Sequence, residues 1–131
     1  PTRRSPDLLA GGFLSGKYRR DAPAPAGTRL DVWKERWGRY DTPRNWDIID
    51  AVVAVAEEVG ATPAQVALAW LLHKPEVTSV IFGARTVAQV DDNLPAASLR
   101  LAPEHVQRLD DASAFELGYP YDFMARIQGA W

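Results

Sequence analysis

Residues 61–93 read ATPAQVALAWLLHKPEVTSVIFGARTVAQVDDN, and the order of signals in this stretch sets the fold class. Thr62-Pro63-Ala64-Gln65 opens a helix, with threonine at the N-cap, proline in the first turn and glutamine three residues on to complete a capping box. The run QVALAWLLH that follows is apolar almost all round, which predicts a largely buried helix. VTSVIF at 77–82 is short, rich in β-branched residues and not cleanly alternating. A strand covered on both faces reads this way, as in parallel sheets. Gly83-Ala84-Arg85 ends it, and Thr86-Val87-Ala88-Gln89 repeats the capping-box pattern, predicting a short helix to about Asn93. Helix, strand, helix in this order is a piece of an α/β fold.

The strand at 77–82 lacks partners in the sequence. Buried backbone N–H and C=O groups must be paired, and a parallel neighbour requires a crossover connection rather than a tight hairpin. No other stretch of this chain reads as a strand. The sheet is therefore expected to lie largely outside the chain, in other chains or in an absent part of the same one; otherwise 77–82 is not a strand here.

Working outward, a second helix is predicted from Asn45. Trp46, Ile49, Val52, Val53, Ala56 and Val59 recur at helical spacing, with Asp47, Asp50, Glu57 and Glu58 on other faces. Gly60 is its natural stop. Residues 21–45 hold Pro23, Pro25, Gly27, Gly38 and Pro43 and read as a long irregular connection. The interleaved Trp33, Trp37 and Tyr40 make it a packed lid rather than a linker. Leu101 to Ala112 predicts one more helix, with Val106 and Leu109 inward, and the aromatic tail from Phe115 to Trp131 reads as irregular.

Bulk properties exclude several classes. The 131 residues suffice for one domain with a modest core. A formal net charge of −2 gives no reason to expect nucleic acid or an anionic membrane as partner. With no cysteine, disulfide frameworks and thiolate metal sites are excluded, and a cytoplasmic setting fits. No apolar run reaches the roughly 18 residues of a membrane span. The first residue is Pro1 rather than methionine, so it is not expected to be a natural start.

Two segments could carry chemistry. Gly11-Gly12-Phe13-Leu14-Ser15-Gly16-Lys17-Tyr18 nearly matches the phosphate loop GxxxxGK[ST], but Tyr18 stands where the magnesium-holding hydroxyl belongs. What survives is simpler: glycines permit close backbone approach, and Lys17 offers a cation to a phosphate. The competing reading is a glycine loop with a surface lysine. Gly83-Ala84-Arg85-Thr86 follows the predicted strand and opens a helix. Its amides and Arg85 could hold an anion, and Gln89 and Asn93, one turn apart, could read the edge of a base. Alternatively, Thr86 and Gln89 only cap the helix and Arg85 is solvated. His73 and His105 read as structural and form no metal site. Glu57-Glu58, Asp91-Asp92 and Asp110-Asp111 read as solvated faces.

Together these segments resemble the aldo-keto reductase family. SPDLLAGGFLSGKY resembles the segment after that family's seventh barrel strand. Residues 61–93 resemble its last helix, eighth strand and cofactor loop, and LRLAPEHVQRLDDAS resembles the helix that closes the domain. The resemblance spans nearly the whole chain in order. It implies an α/β fold that is the C-terminal fragment of a (β/α)8 TIM barrel, mostly helical with one strand, with residues 1–131 forming a partial aldo-keto reductase domain. It further implies an oxidoreductase that binds NADP(H) and reduces aldehydes or ketones to alcohols. Phosphate sites in such barrels often form from the loops after strands seven and eight.

By this resemblance Ser5, Leu9, Gly11, Leu14 and Lys17 line the pyrophosphate side. Gly83, Ala84 and Arg85 meet the 2′-phosphate and ribose, and Gln89, Asp92 and Asn93 face the adenine end. Two departures stand out. Asp7 and Leu8 intervene between Pro6 and Leu9, and the sequence PTRR replaces an apolar strand. The family's catalytic Asp, Tyr, Lys and His map to no position here, so no catalytic residue is assigned. Tyr18, Tyr40 and Lys17 do not match those motifs. The expected partners are the dinucleotide and a small carbonyl substrate in the intact enzyme, with no nucleic acid and no membrane. An inactive remnant, or a half-barrel self-associating through exposed strand edges, is the competing expectation.

Overall fold

The computed structural model describes residues 8–115 and 118–128. Among these the chain is helical, with no strand. In order come a 3₁₀ turn Ala10–Ser15, α1 (Arg29–Val32), α2 (Lys34–Tyr40), α3 (Pro43–Val59) and α4 (Pro63–Leu72). Then follow α5 (Val87–Asn93), a 3₁₀ turn Leu94–Ala97, α6 (Pro103–Ser113) and α7 (Tyr121–Ile127).

The two long helices begin and end where local chemistry dictates. The Thr42 side chain accepts from the Asn45 amide at the start of α3, and Gly60 closes it in the left-handed region at φ 65°. At α4 the box is complete: the Thr62 hydroxyl accepts from the Gln65 amide, and the Gln65 side chain accepts from the Thr62 amide. The two helices are bent by 95° at the break between them. No single helix among the described residues is long and apolar enough to cross a membrane.

Helix α3 is shared by two apolar clusters. One face sends Val52, Val55 and Ala56 against Val66 and Ala69 of α4 and Leu101 and Leu109 beside and within α6. The other sends Trp46 and Ile49 against Phe13, Tyr18 and Leu30. This second cluster is built on rings, with Phe13 packed 4.8 Å from Trp46, 5.6 Å from Tyr40 and 5.9 Å from Tyr18. It fastens the 3₁₀ glycine turn to the helical body.

The structure corrects three sequence expectations. Residues 77–82 form no strand; among the described residues nothing offers them a ladder, and Ile81 is 67% exposed. The expected strand edges, as a route to self-association, are therefore not formed either. The lid at 21–45 is not irregular, because α1 and α2 form within it once Leu30 and Trp37 find the aromatic cluster. The tail likewise contains a helix, α7, and Trp131 lies outside the described residues.

Helix α6 is clasped to its neighbours by polar contacts. Asp110 accepts from the Trp70 indole N–H at 2.6 Å and from the Lys74 ammonium. The ammonium first, and the indole after it, hold the Asp110 carboxyl below the usual carboxylate range, against the opposing effect of partial burial. A lowered folded value gives stability that is present above the unfolded pKa and lost as pH falls through the folded one. The melting temperature should therefore drop as pH is lowered through the ordinary carboxylate range and below it. Asp110→Asn should flatten part of that drop; an unchanged thermal profile in the variant would remove this clasp from the account.

Candidate functional site

A cleft of about 210 Å³ lies between the glycine turn and the segment that leads into α5. Gly11 and Gly12 sit at φ 70° and 87°, a region open to glycine at little cost. Their surroundings are also close. A Cβ on Gly11 would lie 2.9 Å from Leu30 Cδ2, and one on Gly12 would lie 2.5 Å from Lys17 Nζ. The Lys17 ammonium is thus laid against bare backbone. The Ser15 hydroxyl donates to the Gly12 carbonyl at 2.6 Å and tightens the turn. The fold here is a 3₁₀ turn rather than the strand–loop–helix of a nucleotide triphosphatase.

The Tyr18 hydroxyl donates to the Gly11 carbonyl at 3.3 Å and accepts from the Leu30 amide at 3.4 Å. Tyr18 is 4% exposed and structural.

The opposite wall is the exposed stretch before α5. Thr86 caps this helix by accepting from the Gln89 amide, while the Gln89 Oε1 accepts from the Arg85 amide at 2.8 Å. The capping reading of this stretch is seen directly. The cap is made, though Gln89 closes on Arg85 rather than Thr86, and the exposed Arg85 side chain lines the cleft.

Of the residues singled out in the sequence, Leu9, Gly11, Lys17, Gly83, Arg85, Gln89, Asp92 and Asn93 come together around this one cleft. Leu14 does not; it packs against both apolar clusters and lines a separate groove. Ala84 is exposed beside the cleft without lining it. Ser5 and Asp7 lie outside the described residues. Sequence reasoning missed Arg29, which lines the cleft with its guanidinium 5.2 Å from the Trp33 ring centroid. A single arginine at the start of a one-turn helix carries no local signal of where it points.

The carboxylates and histidines elsewhere do structural work. Glu58 is held below its usual range by Arg108 first, against the opposing effect of burial, with a lesser contribution from His105. It lies at 2.6 Å from Arg108 and 3.2 Å from His105. His73 has Nδ1 2.7 Å from the Ala69 carbonyl, and its Nε2 accepts from the Leu101 amide at 3.2 Å. It therefore stitches the end of α4 to the approach to α6. No group of three or more His, Cys, Asp or Glu among the described residues could hold a metal.

Comparison with known proteins points to one family. The Aldo/keto reductase family matches residues 6–114. A putative voltage-gated potassium channel subunit beta of Schizosaccharomyces pombe is 35% identical over 82% of this chain and 32% of its own length. An aryl-alcohol dehydrogenase [NADP(+)] of Phanerodontia chrysosporium is 35% identical over 83% of this chain and 30% of its own. Protein tas of Escherichia coli is 33% identical over 78% and 29%. The chain thus spans about a third of the length of the curated relatives it matches. A family match from residue 6 to residue 114, with two relatives at 35% identity over more than four-fifths of the sequence, establishes that this chain belongs to the aldo/keto reductase family.

Proposed function

We propose that this chain is the C-terminal portion of an NADP(H)-dependent aldo-keto reductase that reduces aldehydes or ketones to alcohols. It carries cofactor-binding walls and lacks the catalytic tetrad. The observation that supports this best is the convergence of Lys17 and Arg85 on one cleft floored by two glycines with positive φ.

The residues fit a phosphorylated dinucleotide. Bare backbone at Gly11 and Gly12 admits an oxyanion closely, and Lys17, Arg29 and Arg85 supply cations on its rim. At about 210 Å³ the cleft is smaller than the ~300–1,000 Å³ of pockets that enclose a whole drug-sized ligand. It suits the phosphate end of a dinucleotide. When bound, such a cofactor supplies hydride chemistry. This chain's own residues bind and orient: Lys17 against the pyrophosphate, Arg85 against a 2′-phosphate, and Gln89, Asp92 and Asn93 at the adenine end. The proton for the carbonyl oxygen comes from an acid outside this chain.

Fluorescence titration of the purified chain with NADPH tests the binding half. Steady-state assay with aldehydes and ketones tests the rest. The expected outcome is binding without NADPH-dependent turnover, and measurable turnover by residues 1–131 alone would overturn the proposal.

A second reading has its own support. A groove of about 180 Å³, almost wholly apolar, opens between α3, α4 and α6 and is lined by Ile48, Val52, Trp70, Leu71 and Leu109 among others. With Ile81 also exposed, a remnant or half-barrel that self-associates has apolar surface to bury. Size-exclusion chromatography with light scattering separates the two, and a monomer removes the second.

A further inference from the structure

The wall that carries Arg85 is weakly attached by its own backbone. Residues 77–86 form no ladder, Ile81 and Val87 are 67% and 76% exposed, and α5 is a short helix. Something outside this segment must set its place in the cleft. The Gln65 side chain reaches it. Its Nε2 donates to the Asp92 carbonyl at 2.6 Å, while its Oε1 accepts from the Thr62 amide at 3.0 Å. The amide orientation follows from its partners, since an N–H must meet oxygen and a carbonyl must meet NH₂. The Asp92 carbonyl is among the last of α5, just before the helix passes into the 3₁₀ turn Leu94–Ala97. One side chain therefore caps α4 and holds the end of α5. On either side of this tie, Ala64, Asp92 and Asn93 all line the cleft.

We infer that Gln65 is a positioning residue of the cleft, fixing the α5 wall, and through it Arg85, against the glycine turn. The inference rests on the proposed dinucleotide site for its functional consequence, but the tie itself is independent of any ligand.

The cap and the tie use different atoms, so two substitutions separate them. Gln65→Glu keeps an acceptor for the Thr62 amide, and glutamate serves a capping box as well as glutamine; it loses the donor to Asp92. Gln65→Ala loses both. Each variant is compared with the parent chain in the Arg85 and Arg85→Ala backgrounds, using NADPH as probe. Both should bind NADPH about three- to tenfold more weakly, as expected for one lost hydrogen bond. Only Gln65→Ala should melt earlier. The weakening should shrink once Arg85 is alanine, leaving the part carried by Gln89, Asp92 and Asn93 on the same wall.

Backbone amide hydrogen exchange supplies the ligand-free readout, with residues 86–93 exchanging faster in both variants while α3 is unchanged. If Gln65→Glu leaves exchange over 86–93 at the parent level, the tie is unimportant and the inference fails. Undiminished NADPH affinity in Gln65→Glu, or a loss of the same size with and without Arg85, also overturns it. A loss in Gln65→Glu alone would assign the effect to the added charge and overturn it as well. A parent chain that does not bind NADPH refutes the site reading instead, while exchange still decides the tie.

Discussion

Arg85→Ala is expected to weaken NADPH binding by about tenfold to a hundredfold, the range for losing a charge-assisted hydrogen bond to a phosphate. Two observations set the size. Arg85 is exposed along the cleft rather than sealed into the body, so its guanidinium is available to an anion. Its backbone is also held, because the Arg85 amide is engaged by Gln89 at 2.8 Å, which limits the entropy lost when the side chain orders on a ligand. The 2′-phosphate is what NADPH has and NADH lacks, so NADH should lose less. Lys17→Ala, on the pyrophosphate side, should weaken both cofactors alike. The gap between the two cofactors should narrow as salt is raised, since exposed charges are screened over a Debye length of about 8 Å at physiological ionic strength. Parallel fluorescence titrations at two salt concentrations measure all of this. Equal losses for NADPH and NADH in Arg85→Ala would dismiss the assignment of Arg85 to the 2′-phosphate.

Leu30→Ala should cost about 2–5 kcal/mol of folding stability, the range for emptying a fully buried leucine site. Leu30 is 0% exposed and sits in the aromatic cluster with Phe13, Tyr18, Trp46 and Ile49. Rings surround the site, and rigid rings collapse poorly into the space a leucine leaves. Whole domains have only about 5–15 kcal/mol in total, so the variant should be partly unfolded near body temperature. Leu30 also stands against Gly11, so whatever fold survives should have a looser glycine turn. Val32→Ala, two residues on and 71% exposed, is the matched control and should stay within about 0.5 kcal/mol. Urea melts of the three proteins compare them, and a loss below about 1 kcal/mol for Leu30→Ala would mean that this cluster is not a packed core.

Legibility in the sequence followed the range of the interaction. Thr62 with Gln65, and Gly60 after α3, were readable because a cap involves residues within one turn. The buried run of α4 was readable for the same reason. Residues 77–82 were misread because β-branched composition reports that a segment fits a covered pleated surface, not that the covering is present. Helices α1 and α2 were hidden by the Pro23, Pro25 and Gly27 punctuation before them, and they fold because Leu30 and Trp37 bury against partners as distant as Phe13 and Trp46. The cleft was largely legible, since Lys17 and Arg85 each sit in a distinctive short segment. Arg29 was not, because only the packing of α1 brings it there. The link from Gln65 to Asp92 spans 27 residues and has no periodic signature.

Helix α3 stands as a wall common to two rooms, with Val52 and Val55 on one side and Trp46 and Ile49 on the other. Such an element leaves no joint along which one half could loosen while the other stays shut. Damage beside α6, far from the glycine turn, is therefore transmitted to it as a shared loss of order, and the chain should melt as one unit.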